Sequence, residues 1–549
     1  MPEMMRSRLP RFLAVIAVLL GCLQALGMKP AVLERGTEDE QEPPYRLVLY
    51  LVVDQLPAYL LERYDSLYTG GLRRLLDDGR VFTQATHDHA ATETSPGHAT
   101  LGTGVYPARN GVPANAWREE TGGELHLVQN VLDTTERILG NESYYGSSPR
   151  ILRRQGIGDW VAAADDKSRV VSLSAKDRGS ILLTGQLKGD FYWFDPVVGH
   201  FVTSTYYRDE YPAWIEAFNN RFQQSLSADT VWASTVPEDA AHLSGGDTAS
   251  YERDGIHTFF PHRYRDEADT TEESGQFYWW EMTPMLDAAV LDLARTAVRA
   301  LDLGGGEQLD YLAVSLSQTD RVGHEYGPLS REQLDNLLRL DRELGMFFDF
   351  LDDQVGMDRY LVGFTSDHGS AITPERRQEM GLEGTRLTAE DRVLVETRIA
   401  EAIREAQARA ADPSTRDDDP LAYVINRLQE LPFAGPAYSM AQLRMTEPPD
   451  SFRALFQNSY VPGRMGGILS RIGIESWWGE NVLGWSWEYG TTHGSPYLYD
   501  RHVPFILMGS GIESGRIDLR VATVDMAPTL AYLVGVPFPD DLDGRPLIR

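Results

Sequence analysis

The chain has 549 residues, of which 42% are hydrophobic, 10% aromatic and 24% charged, a balance that excludes a disordered, collagenous or coiled-coil protein. Its 51 Lys and Arg stand against 81 Asp and Glu, a net charge of -30, which argues against a dedicated nucleic-acid partner held by phosphate neutralisation. The single cysteine, Cys22, excludes thiol redox chemistry, a disulfide framework and thiolate metal sites in the folded part.

In chain order, residues 1–11 carry Arg6, Arg8 and Arg11, and residues 12–27 (FLAVIAVLLGCLQALG) are apolar. This is the layout of a secretory signal, short of the roughly 20 residues a spanning helix needs. The run Leu19-Leu20-Gly21-Cys22 matches a bacterial lipoprotein signal with Cys22 lipidated, while Ala25-Leu26-Gly27 offers an ordinary cleavage site. Either predicts export, to the periplasm or to an outer-membrane anchor. Residues 28–44 end in the acidic run ERGTEDEQEPP and are expected to form a solvated linker, with one folded unit over 45–549.

Four short runs are apolar on both parities, the pattern of strands buried on both faces: 47–53 (LVLYLVV), 311–316 (YLAVSL), 360–364 (YLVGF) and 503–508 (VPFILM). Helical periodicity lies between them at 285–301, at 330–351 with Leu334, Leu337, Leu338, Leu344 and Phe347, and at 526–534. The alternation predicts an α/β fold, a doubly wound, mostly parallel central sheet with helices on both faces. Two stretches break the rhythm, at about 191–280, rich in Trp and Tyr, and at about 373–467, with a charged helical piece over 390–411. Both are expected to be inserted caps over the sheet's active edge.

Such sheets bind ligands beyond the carboxyl ends of their strands, and the chemistry-bearing residues cluster there. Asp54 follows the first run, Asp320 and His324 the second, Asp367 and His368 the third, and His493 lies in a loop of small residues before the fourth. Oxygen and imidazole donors without sulfur favour zinc, with manganese or iron also compatible, and two clusters predict two ions. A single Asp after a strand is ordinarily a cap or turn residue, but the recurrence at successive strand ends is not explained by capping. The segment Thr94-Ser95-Pro96-Gly97-His98 places hydroxyls at a helix start with Pro in its first turn, where free N–H groups suit an anion. An ordinary Ser/Thr N-cap is the alternative. Both Thr94 and Ser95 are candidate nucleophiles.

Asp54, the 94–98 block with Thr103-Gly104, Asp320-x-x-x-His324, Asp367-His368-Gly369 and His493-Gly494 stand in an order that resembles the alkaline phosphatase superfamily. The branch nearest type I phosphodiesterases and nucleotide pyrophosphatases is the most similar. Ala175-Lys176-Asp177-Arg178-Gly179, with the later runs 191–195 (FYWFD) and 203–207 (TSTYY), resembles the PafA-like bacterial alkaline phosphatases. The resemblance implies two Zn2+ ions, one on Asp320, His324 and His493, the other on Asp54, Asp367 and His368 beside the Thr94 oxygen. It implies Thr94 as the nucleophile that forms a phosphothreonine intermediate, with Asn115, Lys176 and Arg178 binding the phosphate. Extra cationic charge suits the dianion of a small-molecule phosphate monoester, whereas a diesterase needs an apolar pocket for a second ester group. Phosphodiester or nucleotide pyrophosphate hydrolysis is the alternative activity. A sulfatase is disfavoured, because no Cys-x-Pro-x-Arg occurs and His98 stands where an arginine is wanted. His87, His89, His200 and His502 receive no role, although His200 is weighed as a residue behind the ligands.

Overall fold

The computed structural model describes residues 45–268, 277–412, 419–446, 451–465, 474–484 and 487–548. The signal segment with Cys22 and the linker lie outside the described residues. Among those described, no helix is long and apolar enough to cross a membrane.

Nine strands form the central sheet: β1 (Leu47–Val53), β2 (Arg80–Thr86), β3 (Val170–Ser174), β4 (Asp190–Asp195), β5 (His200–Val202), β6 (Asp310–Leu316), β7 (Tyr360–Thr365), β8 (Phe505–Met508) and β9 (Gly515–Ala522). Their spatial order is β9-β2-β8-β7-β1-β6-β3-β4-β5. All run parallel except β8, which is antiparallel to both its neighbours, and the edge strand β5, antiparallel to β4. The reason for the unbroken apolar runs is visible in β1: Leu47, Leu49, Leu51 and Val53 enter one core, and Val48, Tyr50 and Val52 the other. A two-faced strand has no polar parity.

The helices cover both faces. On one lie α1 (Gly71–Asp78), α4 (Met285–Leu301) and α6 (Arg331–Gln354), which contribute Leu72, Leu75, Leu286, Leu334, Leu337, Leu344 and Phe347 to a single core. The Ser330 hydroxyl accepts the Gln333 N–H at 3.0 Å and starts α6. On the other face α2 (Thr94–Thr103) and α9 (Met526–Leu533) bury Ala99, Leu101, Met526 and Leu530. Two further helices position the site, α3 (Asp177–Leu182) after β3 and α5 (Gln318–Tyr326) after β6.

The expected insertion from about residue 191 begins inside the sheet. Phe191 and Trp193 point into one core and Tyr192 and Phe194 into the other, so this aromatic run is a strand with the same two-sided burial as the aliphatic ones. Ile215 and Phe218 still enter the first core, and from Leu226 the chain packs behind α5, where Trp232, Trp279 and Trp280 enclose Val322 and Tyr326. Over 373–484 it makes a separate apolar cluster from α7 (Ala389–Ala411), α8 (Pro420–Gln429) and the antiparallel pair Ala434–Ser439 and Ile474–Trp478. Two hairpins over 116–129 and 132–147 have no counterpart among the expected elements, because their polar, mostly exposed strands carry no apolar run.

Asp287 on α4 ties this scaffold to the site. Its buried carboxylate accepts the Ser317 N–H at 2.9 Å and the Gln318 N–H at 3.3 Å, meeting donors that the start of α5 otherwise leaves free. Burial, ahead of every other influence, raises the Asp287 pKa to about 7. Asp287→Ala is expected to lower the unfolding free energy by about 2 kcal/mol, since it strands two buried N–H groups. Urea denaturation checks this, and an unchanged midpoint would show that the helix start does not need the acceptor.

Candidate metal centre

Strand register brings the centre together. Val53 pairs with Leu316 and Val52 with Thr365, so β1, β6 and β7 end side by side, and Asp54 continues the ladder by donating its N–H to Leu316 O at 2.9 Å. The residues next in the chain, Asp54, then Asp320 and His324 on α5, then Asp367 and His368, emerge at this common edge. Ser174 pairs with Ser315, which delivers Lys176 at the start of α3. Because β8 runs the other way, it is the chain before it, not after it, that arrives here, and that chain carries His493.

Asp54, Asp320, Asp367 and His368 are buried. Ligand atoms of Asp54, Asp367 and His368 lie within 4.8 Å of one another, as do those of Asp320, His368 and His493. The Nε2 atoms of His324 and His493 are 3.2 and 3.4 Å from Asp320 Oδ1, so His324 joins the second group through that carboxylate. His368 Nε2 is 3.3 Å from Asp54 Oδ1 and 3.5 Å from Asp367 Oδ2. The imidazoles of His368 and His493 stack with centroids 3.6 Å apart.

Each histidine is aimed by its other nitrogen. His324 Nδ1 donates to Thr491 O at 2.9 Å, His493 Nδ1 to Thr92 O at 2.8 Å and His368 Nδ1 to Gly369 O at 3.0 Å. A carbonyl only accepts, so in all three the proton sits on Nδ1 and Nε2 faces the centre, the orientation that metal-ligating histidines take. Asp54 Oδ1, Asp367 Oδ2 and His368 Nε2 are buried with no aligned hydrogen bond, their neighbours being one another and, for Asp367 Oδ2, the His98 ring. Buried polar atoms are normally satisfied, and converging orphaned oxygen and imidazole donors fit metal ions.

The charges are strongly coupled. Burial and Asp320 oppose ionisation of Asp54, yet Lys176 and His368 hold its pKa below the ordinary carboxylate range. Burial likewise opposes ionisation of Asp320, and Lys176 and His324 outweigh it. Asp367 is raised by burial and by Asp54. Burial works against a charged His368, but Asp367 and Asp54 lift it to about 9, while burial and the His368 charge push His493 down to about 3.

Lys176 Nζ bridges Asp54 Oδ2 at 2.6 Å and Asp320 Oδ2. Arg178, two residues on, has a buried Nε without a partner. Thr94 is buried at the first position of α2. Asn115 Oδ1 accepts the Ser95 N–H at 2.9 Å, which turns the Asn115 amide donors away from the helix end, and its own N–H donates to Glu93 Oε2 at 2.6 Å. A Cβ on Gly97 would collide with the Asp367 carbonyl, so glycine lets α2 lie against the Asp367 loop.

Three residues without a forecast role support the centre. Gln55 Nε2 donates to Asp320 Oδ1 at 2.7 Å and its backbone N–H to Asp367 Oδ1 at 3.1 Å; its φ of 62° is a backbone signal that sequence does not carry. His98 reaches Asp367 Oδ2 at 3.1 Å and Ser315 Oγ at 2.8 Å. Trp487 stacks on His324 at 5.1 Å. Of the unassigned histidines, His87 bonds Ser366 O and Thr523 Oγ1, and His502 bonds Thr83 O. His89 is buried with both ring nitrogens unpartnered. His200 lies on the edge strand β5, bonded to Phe201 O, and is not behind the ligands.

A family model described as type I phosphodiesterase / nucleotide pyrophosphatase matches residues 48–465. Alkaline phosphatase PafA of Elizabethkingia meningoseptica is 30% identical over 96% of this chain and 98% of its own. Alkaline phosphatase PhoK of a Sphingomonas species is 30% identical over 91% of this chain and 90% of its own. A Myroides odoratus relative at the same identity and 91% coverage of this chain bears the name calcium-transporting ATPase. The crystal structure of wild-type PafA superposes with a TM-score of 0.81 at 29% identity, over 93% of this chain and 99% of that one.

A pKa near 9 means that at pH 7.5 His368 carries a second proton, on Nε2, which a metal bound there must displace. Zinc binding to chelator-treated protein is therefore expected to release protons. Calorimetry in buffers of different ionisation enthalpy should show a buffer-dependent heat; a heat independent of buffer would contradict the charge state.

Proposed function

Because the chain belongs to the type I phosphodiesterase and nucleotide pyrophosphatase family of the alkaline phosphatase superfamily, and is an alkaline phosphatase, a phosphate monoester hydrolase, we propose that Thr94 is its nucleophile and the two groups around His368 its zinc sites. Asp320, His324 and His493 hold one ion, and Asp54, Asp367 and His368 the other. The observation that carries this reading is the convergence of three buried carboxylates and three Nε2 atoms next to α2, whose first turn lies against the Asp367 backbone at Gly97. Zinc, when bound, supplies Lewis-acid charge that stabilises oxyanions.

The chain's own groups account for the rest. Thr94 Oγ attacks phosphorus in line, the ester O–P bond breaks as the Oγ–P bond forms, and the alcohol departs. Water then cleaves the phosphothreonine and frees Thr94 and inorganic phosphate. The Asn115 amide, with its oxygen committed to Ser95, donates to a phosphate oxygen, and Arg178 does so with its forked N–H groups. Lys176 adds a point charge at the same edge. These donors, preorganised around developing charge, supply much of the rate enhancement, and the positive charge of Lys176 and Arg178 favours a dianionic monoester over a diester.

Residues 45–549 act as one catalytic unit in this reading. The Arg-then-apolar N-terminus supports export to the periplasm, with Cys22 either a lipidated anchor to the outer membrane or removed with the signal.

Thr94→Ala is expected to lower kcat by at least about 10^3-fold with two equivalents of zinc retained, measured on an aryl phosphate and by metal analysis. Substantial residual turnover would move the nucleophile to Ser95. Replacing Arg178 by Ala should reduce kcat/KM for the monoester by about 10- to 100-fold and for the matching diester by less. Equal losses would remove the charge argument for monoester preference.

A further inference from the structure

The centre opens on one side into a cavity of about 520 Å3 whose wall includes Asn115, His324 and His493. Neither Lys176, Arg178, Asp54 nor Asp367 lines it. It therefore opens from the centre on the side of His324 and His493. Its far wall is mostly apolar, with Gln429 and Ser476 as polar members: Val395 and Ile399 come from α7, Leu428 from α8, Trp477 from the adjoining strand, and Trp487 closes over His324. The polar side chains on the wall gather largely at the catalytic end, where Glu93 Oε2 is already taken by the Asn115 N–H.

We propose that this cavity is the subsite for the ester group, and that the preferred substrates are phosphate monoesters of apolar alcohols or phenols. The proposal rests on the monoesterase reading. A phosphoryl group held by Asn115, Lys176 and Arg178 keeps its charged oxygens at the centre, and the open space available to the oxygen bearing carbon is the cavity beyond Asn115, His324 and His493. An alkyl chain or aromatic ring removes apolar surface from water there. A polyhydroxylated ester group, such as a sugar, would instead bury hydroxyls against Ile399, Leu428 and Val395 with few partners, which is costly. Helices α7 and α8 and the strand pair Ala434–Ser439 and Ile474–Trp478, outside the nine-stranded sheet, thereby decide which esters are accepted. They do not take part in phosphoryl transfer.

Linear alkyl phosphates test this, because lengthening the chain changes apolar area while hardly altering the leaving group's basicity. With the zinc-loaded full-length mature enzyme, kcat/KM is expected to rise about three-fold per methylene from methyl to hexyl phosphate, on the order of 100-fold in all, and glucose 6-phosphate to fall well below hexyl phosphate. Ile399→Asn should cut the hexyl-to-methyl ratio at least ten-fold. Hexylphosphonate should inhibit aryl phosphate turnover far more strongly than methylphosphonate, a readout that needs no variant and no cleavage. A flat series with methyl phosphate turned over would overturn the subsite and leave the monoesterase reading intact. Failure on every monoester with turnover of a diester would overturn the monoesterase reading itself.

Discussion

Three carboxylates, Asp54, Asp320 and Asp367, are buried together at one edge of the sheet, and their mutual repulsion is the constraint that organises the surrounding structure. Removing several negative charges from water costs several kcal/mol each unless partners compensate. Here the partners are dense and specific: the Lys176 ammonium between Asp54 and Asp320, the Gln55 amide and backbone N–H on Asp320 and Asp367, and the imidazoles of His98 and His368 on Asp367. Such an arrangement suits a site that takes up cations and then an anion. Each carbonyl that fixes a histidine Nδ1 keeps Nε2 turned inward.

The sheet makes that concentration of charge tolerable to the fold. Parallel strands end at one edge, and their C-terminal residues meet without long loops. Asp54 extends a ladder hydrogen bond, and Asp367 and His368 lie within three residues of β7, so these candidate ligands sit close to ladder-bonded backbone. Reversal of β8 brings in the candidate ligand His493 from a loop preceding a strand, which an all-parallel sheet would have sent to the opposite edge. The cradle is also close-packed, because α2 contacts the Asp367 loop through Gly97.

Segments outside the sheet divide into two kinds. After β5 the chain packs Trp232, Trp279 and Trp280 behind α5 and so braces the helix that carries Asp320 and His324. From residue 373 onward it builds its own apolar cluster and walls the cavity at the centre's mouth. In the proposed reading, phosphoryl chemistry belongs to the sheet edge and selection among esters to this later segment.

Sequence alone determined what local chemistry can encode. Apolar runs without parity specified β1, β6 and β7 to within a residue or so, because a strand buried on both faces has no polar positions. Asp or His after successive strands marked the centre, because parallel strands share an edge. The aromatic strand β4 was hidden, since Trp and Tyr also suit surface caps, and the polar hairpins over 116–147 offered no apolar signal. Only the tertiary structure decided that β8 is antiparallel, that His368 stands between both ligand groups, that Gln55, His98 and Trp487 support them, and that an apolar cavity opens on the His324 side. Each of these depends on the direction or packing of segments hundreds of residues apart, and spacing along the chain does not encode such long-range geometry.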